Sequence, residues 1–164
     1  MIATKTAEPA GNRLVGMGQM AAVRHPGRLT AVLGSCVGLT LHCPRLKLGA
    51  MAHIVLPKSH AERAAAAGKF ADTAVPALLA MLEAEGALRR EITAKMFGGA
   101  CMFGGGGPLQ IGDENVKATR AALDVAGLRP MAENLCGNAG RRISLDCNSG
   151  AVTVEMVGCP SKTY

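Results

Sequence analysis

Short apolar runs alternate with glycine- and proline-rich turns along most of the chain, a pattern that predicts a β-rich domain. Strands are predicted at 14–23, 29–33, 37–43, 48–57, 91–97, 130–135, 141–146 and 151–157. The "HPGR" stretch predicts a turn after the first strand, and "CNSG" before alternating valines predicts a hairpin between the last two.

Two segments in the middle of the chain have helical spacing instead. Residues 71–87 carry apolar positions at 75, 78, 79 and 82, and Pro76 is expected to fit only in the first turn of that helix. Residues 112–128 begin with acidic side chains, as a helix start prefers. Between strand and helix, "SHAERAAAAGK" (59–69) predicts a loop or a short helix.

This order predicts one α/β or α+β domain over residues 13–164, with both helices on one face of a sheet. Residues 1–12 are small and polar and are expected to form a flexible N-terminal tail. A chain of 164 residues with 49% hydrophobic content can bury a sizeable core by itself.

The composition and the hydrophobic pattern argue against two classes of protein, nucleic-acid binders and membrane proteins. The net charge is +6, yet there is no long basic run, and aromatic residues make up only 2% of the chain, so nucleic-acid binding by base stacking is not expected. No apolar run reaches the roughly 18 residues of a membrane span, and the first residues lack a signal-peptide pattern. We therefore expect a cytoplasmic protein with reduced thiols that is not inserted in a membrane.

The six cysteines contain no C-x-x-C pair, which argues against a zinc knuckle or ribbon. The glycine-rich segment 98–107 lacks the G-K-[ST] ending of a phosphate-binding loop. No cofactor or metal is expected on these grounds.

Cys36 stands out because glycines flank it in "LGSCVG". A cysteine among apolar residues is most often a small buried hydrophobe, but flanking glycines also permit a nucleophile on a turn. The G-x-[SC]-x-G match to the α/β-hydrolase elbow is weak, because the chain is short and the expected acid-then-histidine order is not evident.

A nucleophilic thiol needs a base, and His53 in "GAMAHIVLP" is the candidate. It is either a satisfied core histidine or a base that faces Cys36, since a turn at 44–47 would make the two strands antiparallel. There is no Asp or Glu between Glu8 and Glu62, so Thr30 is a candidate for a group that orients the imidazole. A metal site built from Cys36, His42, Cys43 and His53 is an alternative.

Five ordered blocks resemble the CheD family, the chemoreceptor glutamine deamidases of bacterial chemotaxis. The blocks are "TAVLGSCVGLTLHCPRLKLGAMAHIVLP", "GKFADTAVPALLAMLEAEGA", "AKMFGGACMF", "IGDENV" and "AENLCGNAGRRISLD". Departures from the family pattern are small: Cys136 stands where glycine is common, and Phe70 where tyrosine is common.

The resemblance implies a cysteine, histidine and threonine site at Cys36, His53 and Thr30, with no cofactor. It implies a layered α/β sandwich like the catalytic domain of cytotoxic necrotizing factor, and protein-glutamine glutaminase activity on the cytoplasmic helices of chemoreceptors. It also implies cleavage of methyl-glutamate esters and a partner of the CheC phosphatase type. A binding module with an idle thiol is the alternative class of function.

Two further expectations concern the turn around the thiol. Backbone N–H groups at 35–37 are candidates to bind the oxyanion of the reaction. Gly34 and Gly38 are expected to leave room for a substrate helix to approach the thiol.

Overall fold

The computed structural model describes residues 11–60, 66–102 and 110–164. Among these residues there are ten strands and two α-helices. The strands are β1 (Asn12–Leu14), β2 (Met20–Arg24), β3 (Arg28–Leu33), β4 (Val37–Cys43), β5 (Leu48–Ile54), β6 (Thr93–Gly98), β7 (Pro130–Leu135), β8 (Arg141–Asp146), β9 (Val152–Glu155) and β10 (Lys162–Thr163). The helices are α1 (Ala71–Ala84) and α2 (Ile111–Val125).

The strands form two five-stranded sheets that stack as layers. One sheet has the order β1-β3-β8-β9-β10 and the other the order β2-β5-β4-β6-β7. Leu78, Leu79 and Leu123 from the helices pack against the second sheet, whereas Leu29 and Ile143 from the first sheet fill a separate core between the sheets. The predicted layered α+β sandwich with both helices on one face is confirmed.

Strands β4 and β5 form the centre of the middle layer. Every residue of both strands is buried, because one face meets the helices and the other meets the first sheet. This explains the almost continuous apolar run in the sequence. The predicted bounds of β4 are confirmed, whereas β5 ends at Ile54, three residues before the predicted end.

The single strand predicted at 14–23 is wrong. The chain leaves the first sheet at Leu14, turns between Gly16 and Gln19, and enters the second sheet at Met20. Gly18 adopts a φ of 75° in this turn, a conformation that favours glycine. An apolar run with two glycines therefore contains two strands that belong to different sheets.

The predicted apolar face of α1 is confirmed, since Val75, Leu78, Leu79 and Leu82 are all fully buried. The expectation for Pro76 is wrong, because the helix begins at Ala71 and Pro76 lies in its second turn. Pro76 is on the exposed face, so the carbonyl that its missing N–H leaves unpaired can be hydrated by solvent.

Most of the predicted tail lies outside the described residues, although Asn12, assigned to it from the sequence, is the first residue of β1. Residues 61–65 of the predicted loop or short helix and residues 103–109, which include the end of the glycine-rich segment, are also outside. Just beyond the first gap, Ala67–Lys69 form a single 3₁₀ turn. Within the described part of the chain, neither helix is long and apolar enough to cross a membrane.

Candidate active site

Cys36 immediately precedes β4 at one end of the core between the two sheets. Its side chain packs in that core and only 8% of the residue is exposed. Several chain segments meet there, because β3 ends at Leu33, β5 ends at Ile54 and β6 ends at Gly98. Cys36 therefore lies at a point in the fold where three strands end.

All three backbone carbonyl groups of residues 34–36 accept hydrogen bonds, which fix the conformation of this segment. Gly99 N–H donates to Cys36 O at 2.9 Å, and Ala100 N–H donates to Gly34 O at 3.0 Å. The middle carbonyl, Ser35 O, accepts from Asn115 Nδ2 at 3.1 Å. In the part of the chain that the structure describes, no acceptor is found for the N–H of Ser35 or of Cys36.

The end of β6 also lies very close to this segment of backbone. Gly98 has a φ of 97°, and a Cβ atom at that position would lie 2.3 Å from Cys36 O. Only glycine meets both conditions without moving the backbone. The end of β6 is thus pressed directly against the residue that carries the thiol.

His53 is positioned by the β4–β5 ladder and by the turn before β2. It pairs with Gly38 in the antiparallel register, and its N–H donates to Gln19 O at 3.0 Å. Its Nδ1 lies 2.9 Å from Val15 O. Since a carbonyl oxygen only accepts, Nδ1 carries the proton and Nε2 carries the lone pair.

The Nε2 atom of His53 is buried, and no hydrogen-bond partner for it exists among the described residues. Strand alternation places Cys36 and Gly38 on the same face of β4, and His53 opposite Gly38 shares that face. Cys36 and His53 are therefore diagonal neighbours across two strands. The predicted antiparallel pairing of the two segments is confirmed, although no hydrogen bond joins the thiol to Nε2.

Burial keeps both groups neutral. Desolvation raises the pKa of the Cys36 thiol above its ordinary value of 9.0. Desolvation also lowers the pKa of His53 below 6.5, against a smaller opposing effect of the bond to Val15 O. The free protein at neutral pH thus holds a thiol beside an uncharged imidazole, the pairing that general-base catalysis requires.

Thr30 is linked to His53 through the backbone. Its carbonyl accepts from Val15 N–H at 2.7 Å, and Val15 O in turn accepts from His53 Nδ1. Leu29 and Ala31 point into the core between the sheets, so alternation directs the Thr30 side chain to the other face of β3.

The expectation that Gly38 leaves room for a substrate is wrong. A Cβ atom there would lie 2.7 Å from Ile143 Cδ1 and 2.8 Å from Leu33 Cδ1, so this space is occupied by the other sheet. Gly34 is less constrained, since the described atom nearest to a Cβ atom there would be Met102 Cγ, at an ordinary 3.5 Å.

The alternative metal site is not assembled. His42 Nε2 lies 2.9 Å from Cys147 O, and Cys43 packs on the helix side of β4, opposite to Cys36. Across residues 11–60, 66–102 and 110–164, no three His, Cys, Asp or Glu side chains are grouped so as to hold a metal ion.

Sequence reasoning did not find Val15, Gly98 or Asn115. Val15 acts through a carbonyl oxygen, which no side-chain pattern reveals. Gly98 and Asn115 both lie in blocks that carry the resemblance, "AKMFGGACMF" and "IGDENV", so the signal was present without an assigned role.

The fold and the site define a layered α+β protein with a cysteine and a histidine at one end of the core between its sheets. The family model described as CheD chemotactic sensory transduction matches residues 55–156. The chain belongs to the CheD family.

Curated relatives carry the name probable chemoreceptor glutamine deamidase CheD. One from Methanococcus maripaludis is 36% identical over 86% of this chain and 92% of its own length. Those from Symbiobacterium thermophilum and Desulforamulus reducens are 42% and 39% identical over 88% and 90% of this chain, and 92% of each relative is covered. Alignments this long include Thr30, Cys36 and His53, which precede the family-model match.

Among solved structures, the crystal structure of the Bacillus licheniformis hypothetical protein YfiH superimposes with a TM-score of 0.47. It is 18% identical and covers 71% of this chain and 51% of its own.

Proposed function

We propose that this protein is a cytoplasmic chemoreceptor glutamine deamidase in which Cys36 is the nucleophile and His53 the general base. The names of the relatives support the activity and substrate class. The observation that carries the assignment of residues is the hydrogen bonding of the His53 imidazole. Its Nδ1 bonds Val15 O, and its buried Nε2, on the face that Cys36 shares, has no hydrogen-bond partner among the described residues.

Acylation follows from this arrangement. His53 Nε2 takes the proton of the Cys36 thiol as the sulfur attacks the side-chain carbonyl carbon of a glutamine. The tetrahedral intermediate collapses when the imidazolium returns its proton to the amide nitrogen. The C–N bond breaks, ammonia leaves, and a thioester to Cys36 remains.

Deacylation uses the same base. His53 Nε2 takes a proton from water as the water oxygen attacks the thioester carbonyl carbon. The C–S bond then breaks, the thiolate takes the proton back from the imidazolium, and the product is glutamate. A methyl-glutamate ester would react by the same two steps with methanol as the leaving group.

The turn at 35–37 is the proposed oxyanion site. Since the carbonyls of residues 34–36 are bound from the 99–100 loop and from Asn115, the turn has a fixed orientation. The N–H groups of Ser35 and Cys36 have no acceptor in the described structure and are suitable donors to a developing negative charge.

We propose that Thr30 acts indirectly. Its carbonyl holds the Val15 backbone, and the carbonyl of Val15 orients His53. This role requires its carbonyl rather than its hydroxyl. Thr30→Val is therefore expected to keep most of the deamidase activity, whereas loss of activity in a folded Thr30→Val protein would assign the role to the hydroxyl.

We propose that the substrate is a glutamate-rich helix of the receptor. A chain with a net charge of +6 attracts acidic helices, and the attraction weakens with salt. A CheC-type phosphatase is proposed as a regulatory partner on the strength of family membership.

The test is the intact mass of a chemoreceptor cytoplasmic fragment after incubation with the protein. Each deamidation should add about 1 dalton as –NH₂ is replaced by –OH, and each ester cleavage should remove about 14 daltons. Cys36→Ala should abolish both changes. Cys147→Ala is the matched control, because Cys147 is a second buried thiol in the same core.

A folded Cys36→Ala protein that still shifts the mass would disprove the assignment of the nucleophile. A wild-type protein that binds the fragment without changing its mass would identify a binding module with an idle thiol instead.

A further inference from the structure

We infer that Asn115 is a positioning residue that sets the separation of the two catalytic segments. This inference rests on the proposed function. Asn115 lies in the second turn of α2 and is completely buried. It belongs to neither sheet, yet its side chain contacts both of the segments that carry the candidate catalytic pair.

Its side-chain amide bridges the two segments directly. Nδ2 donates to Ser35 O at 3.1 Å and to Val55 O at 2.9 Å, so both amide hydrogens are used. Ser35 immediately precedes Cys36, and Val55 lies two residues after His53. A single planar group therefore joins the backbone beside the nucleophile to the backbone beside the base.

The position of this bridge matters because the β4–β5 ladder ends there. The last paired residues are Val37 and Ile54, and beyond them the two strands no longer bond to each other. Asn115 bonds Val55, the next residue outward on the β5 side, and Ser35, two residues outward on the β4 side. It replaces the missing ladder bonds at the point where the separation of thiol and imidazole is determined.

The hydrogen bonds to the other two carbonyls of residues 34–36 do not come from a side chain. Gly34 O and Cys36 O accept from backbone N–H groups, so neither bond needs a side-chain donor. Ser35 O alone relies on residue identity. Within the described structure Asn115 Oδ1 is buried without a partner, an unfavourable arrangement that an apolar residue would avoid. Retaining asparagine at that cost is consistent with a site requirement for its Nδ2 group.

The test compares Asn115→Ala and Asn115→Ser with Thr119→Val in the receptor-fragment assay. Thr119 is a matched control, since it is equally buried on the same helix and, among the described residues, its hydroxyl bonds only to Asn115 O, within α2. Misplacement of a reacting group by about 1 Å costs on the order of 100-fold in rate. We expect kcat to fall 10- to 100-fold in the Asn115 variants with KM little changed, and to stay within 2-fold in Thr119→Val.

A second readout needs no substrate. Alkylation of Cys36 by iodoacetamide, followed by peptide mass, should change several-fold in the Asn115 variants, while alkylation of Cys147 should not. Thr119→Val should alter neither rate. If Asn115→Ala does not fold, Asn115→Ser, which retains a small polar side chain, carries both comparisons.

The outcomes separate the inference from the proposed function. Unchanged kcat and unchanged Cys36 alkylation in a folded Asn115 variant would overturn the positioning role. Equal losses in Asn115→Ala and Thr119→Val at equal loss of stability would overturn it too, since that is general destabilisation. An inactive wild-type protein would contradict the proposed function, and the alkylation comparison would still decide the positioning role.

Discussion

His53 Nδ1 and the Val15 carbonyl oxygen are 2.9 Å apart, and Val15 itself is only 1% exposed. This bond fixes the tautomer in which Nε2 is the base. Because the acceptor is a backbone atom, the side chain of Val15 serves packing alone.

Val15→Ala should therefore separate stability from catalysis. We expect the free energy of unfolding to fall by about 0.5–3 kcal/mol and kcat to remain within a few-fold of wild type. His53→Gln should abolish turnover in a folded protein, because it removes the base. Urea denaturation and ammonia release measure the two effects, and a Val15→Ala protein as inactive as His53→Gln would contradict this division.

The pH dependence of kcat/KM should reflect the buried imidazole. Desolvation lowers the pKa of His53 below 6.5, so the neutral, active form persists to more acidic pH than a solvated histidine would allow. Activity should fall on acidification with a midpoint below pH 6.5. Ammonia release across a pH series measures this, provided that circular dichroism shows the protein folded throughout; a midpoint above 6.5 would contradict the argument.

Substitutions at Gly98 and Gly86 can be compared to measure the effect of the contact between Gly98 and the Cys36 backbone. Their φ angles are 97° and 95°, so alanine at either position costs about 1–2 kcal/mol in backbone strain. A Cβ atom at Gly86 meets nothing within 4 Å, whereas one at Gly98 would press on Cys36 O.

We therefore expect Gly86→Ala to lose stability alone and Gly98→Ala to lose kcat by at least 10-fold as well. Thermal denaturation and the receptor-fragment assay measure the two effects. Equal kcat values in the two variants would show that the contact at Gly98 does not affect the site.

Arg141 is predicted to stabilise the turn after β7 from within the core. The residue is 3% exposed, and its guanidinium donates to Asn134 O at 2.8 Å and also to Cys136 O. Lysine has no planar guanidinium group and cannot donate to both carbonyls in this geometry. Arg141→Lys should therefore lower the free energy of unfolding by about 1–3 kcal/mol.

The neighbouring Arg142 is the control, because its side chain is 60% exposed and Arg142→Lys should change stability by less than about 0.5 kcal/mol. Denaturant midpoints measure both. Equal stability of the two variants would show that the buried guanidinium contributes nothing.

Part of this structure could be predicted from local patterns. The apolar spacing at 75, 78, 79 and 82 gave the buried face of α1, and the turn at 44–47 correctly implied that the strand after Cys36 and the strand of His53 are antiparallel neighbours. These features depend on residues that are near in sequence, where periodicity is informative.

The remainder depends on contacts between distant residues and backbone atoms. His53 bonds a carbonyl 38 residues away, and Asn115 bonds carbonyls 60 and 80 residues away. None of these three acceptors is a side-chain atom, so no residue type marks its position. The strand prediction at 14–23 failed for a related reason, since hydrophobicity does not indicate which of two sheets a short segment joins.

The dominance of backbone contacts around Cys36 has a consequence for how the family can diverge. Main-chain groups from residues 15, 99 and 100 supply the contacts to the base and the thiol turn, and these groups are present whatever side chain is attached. Selection is then free to change most surrounding side chains, provided that the glycines and the few bridging polar residues are kept. Relatives at 36–42% identity are compatible with an unchanged site on this basis.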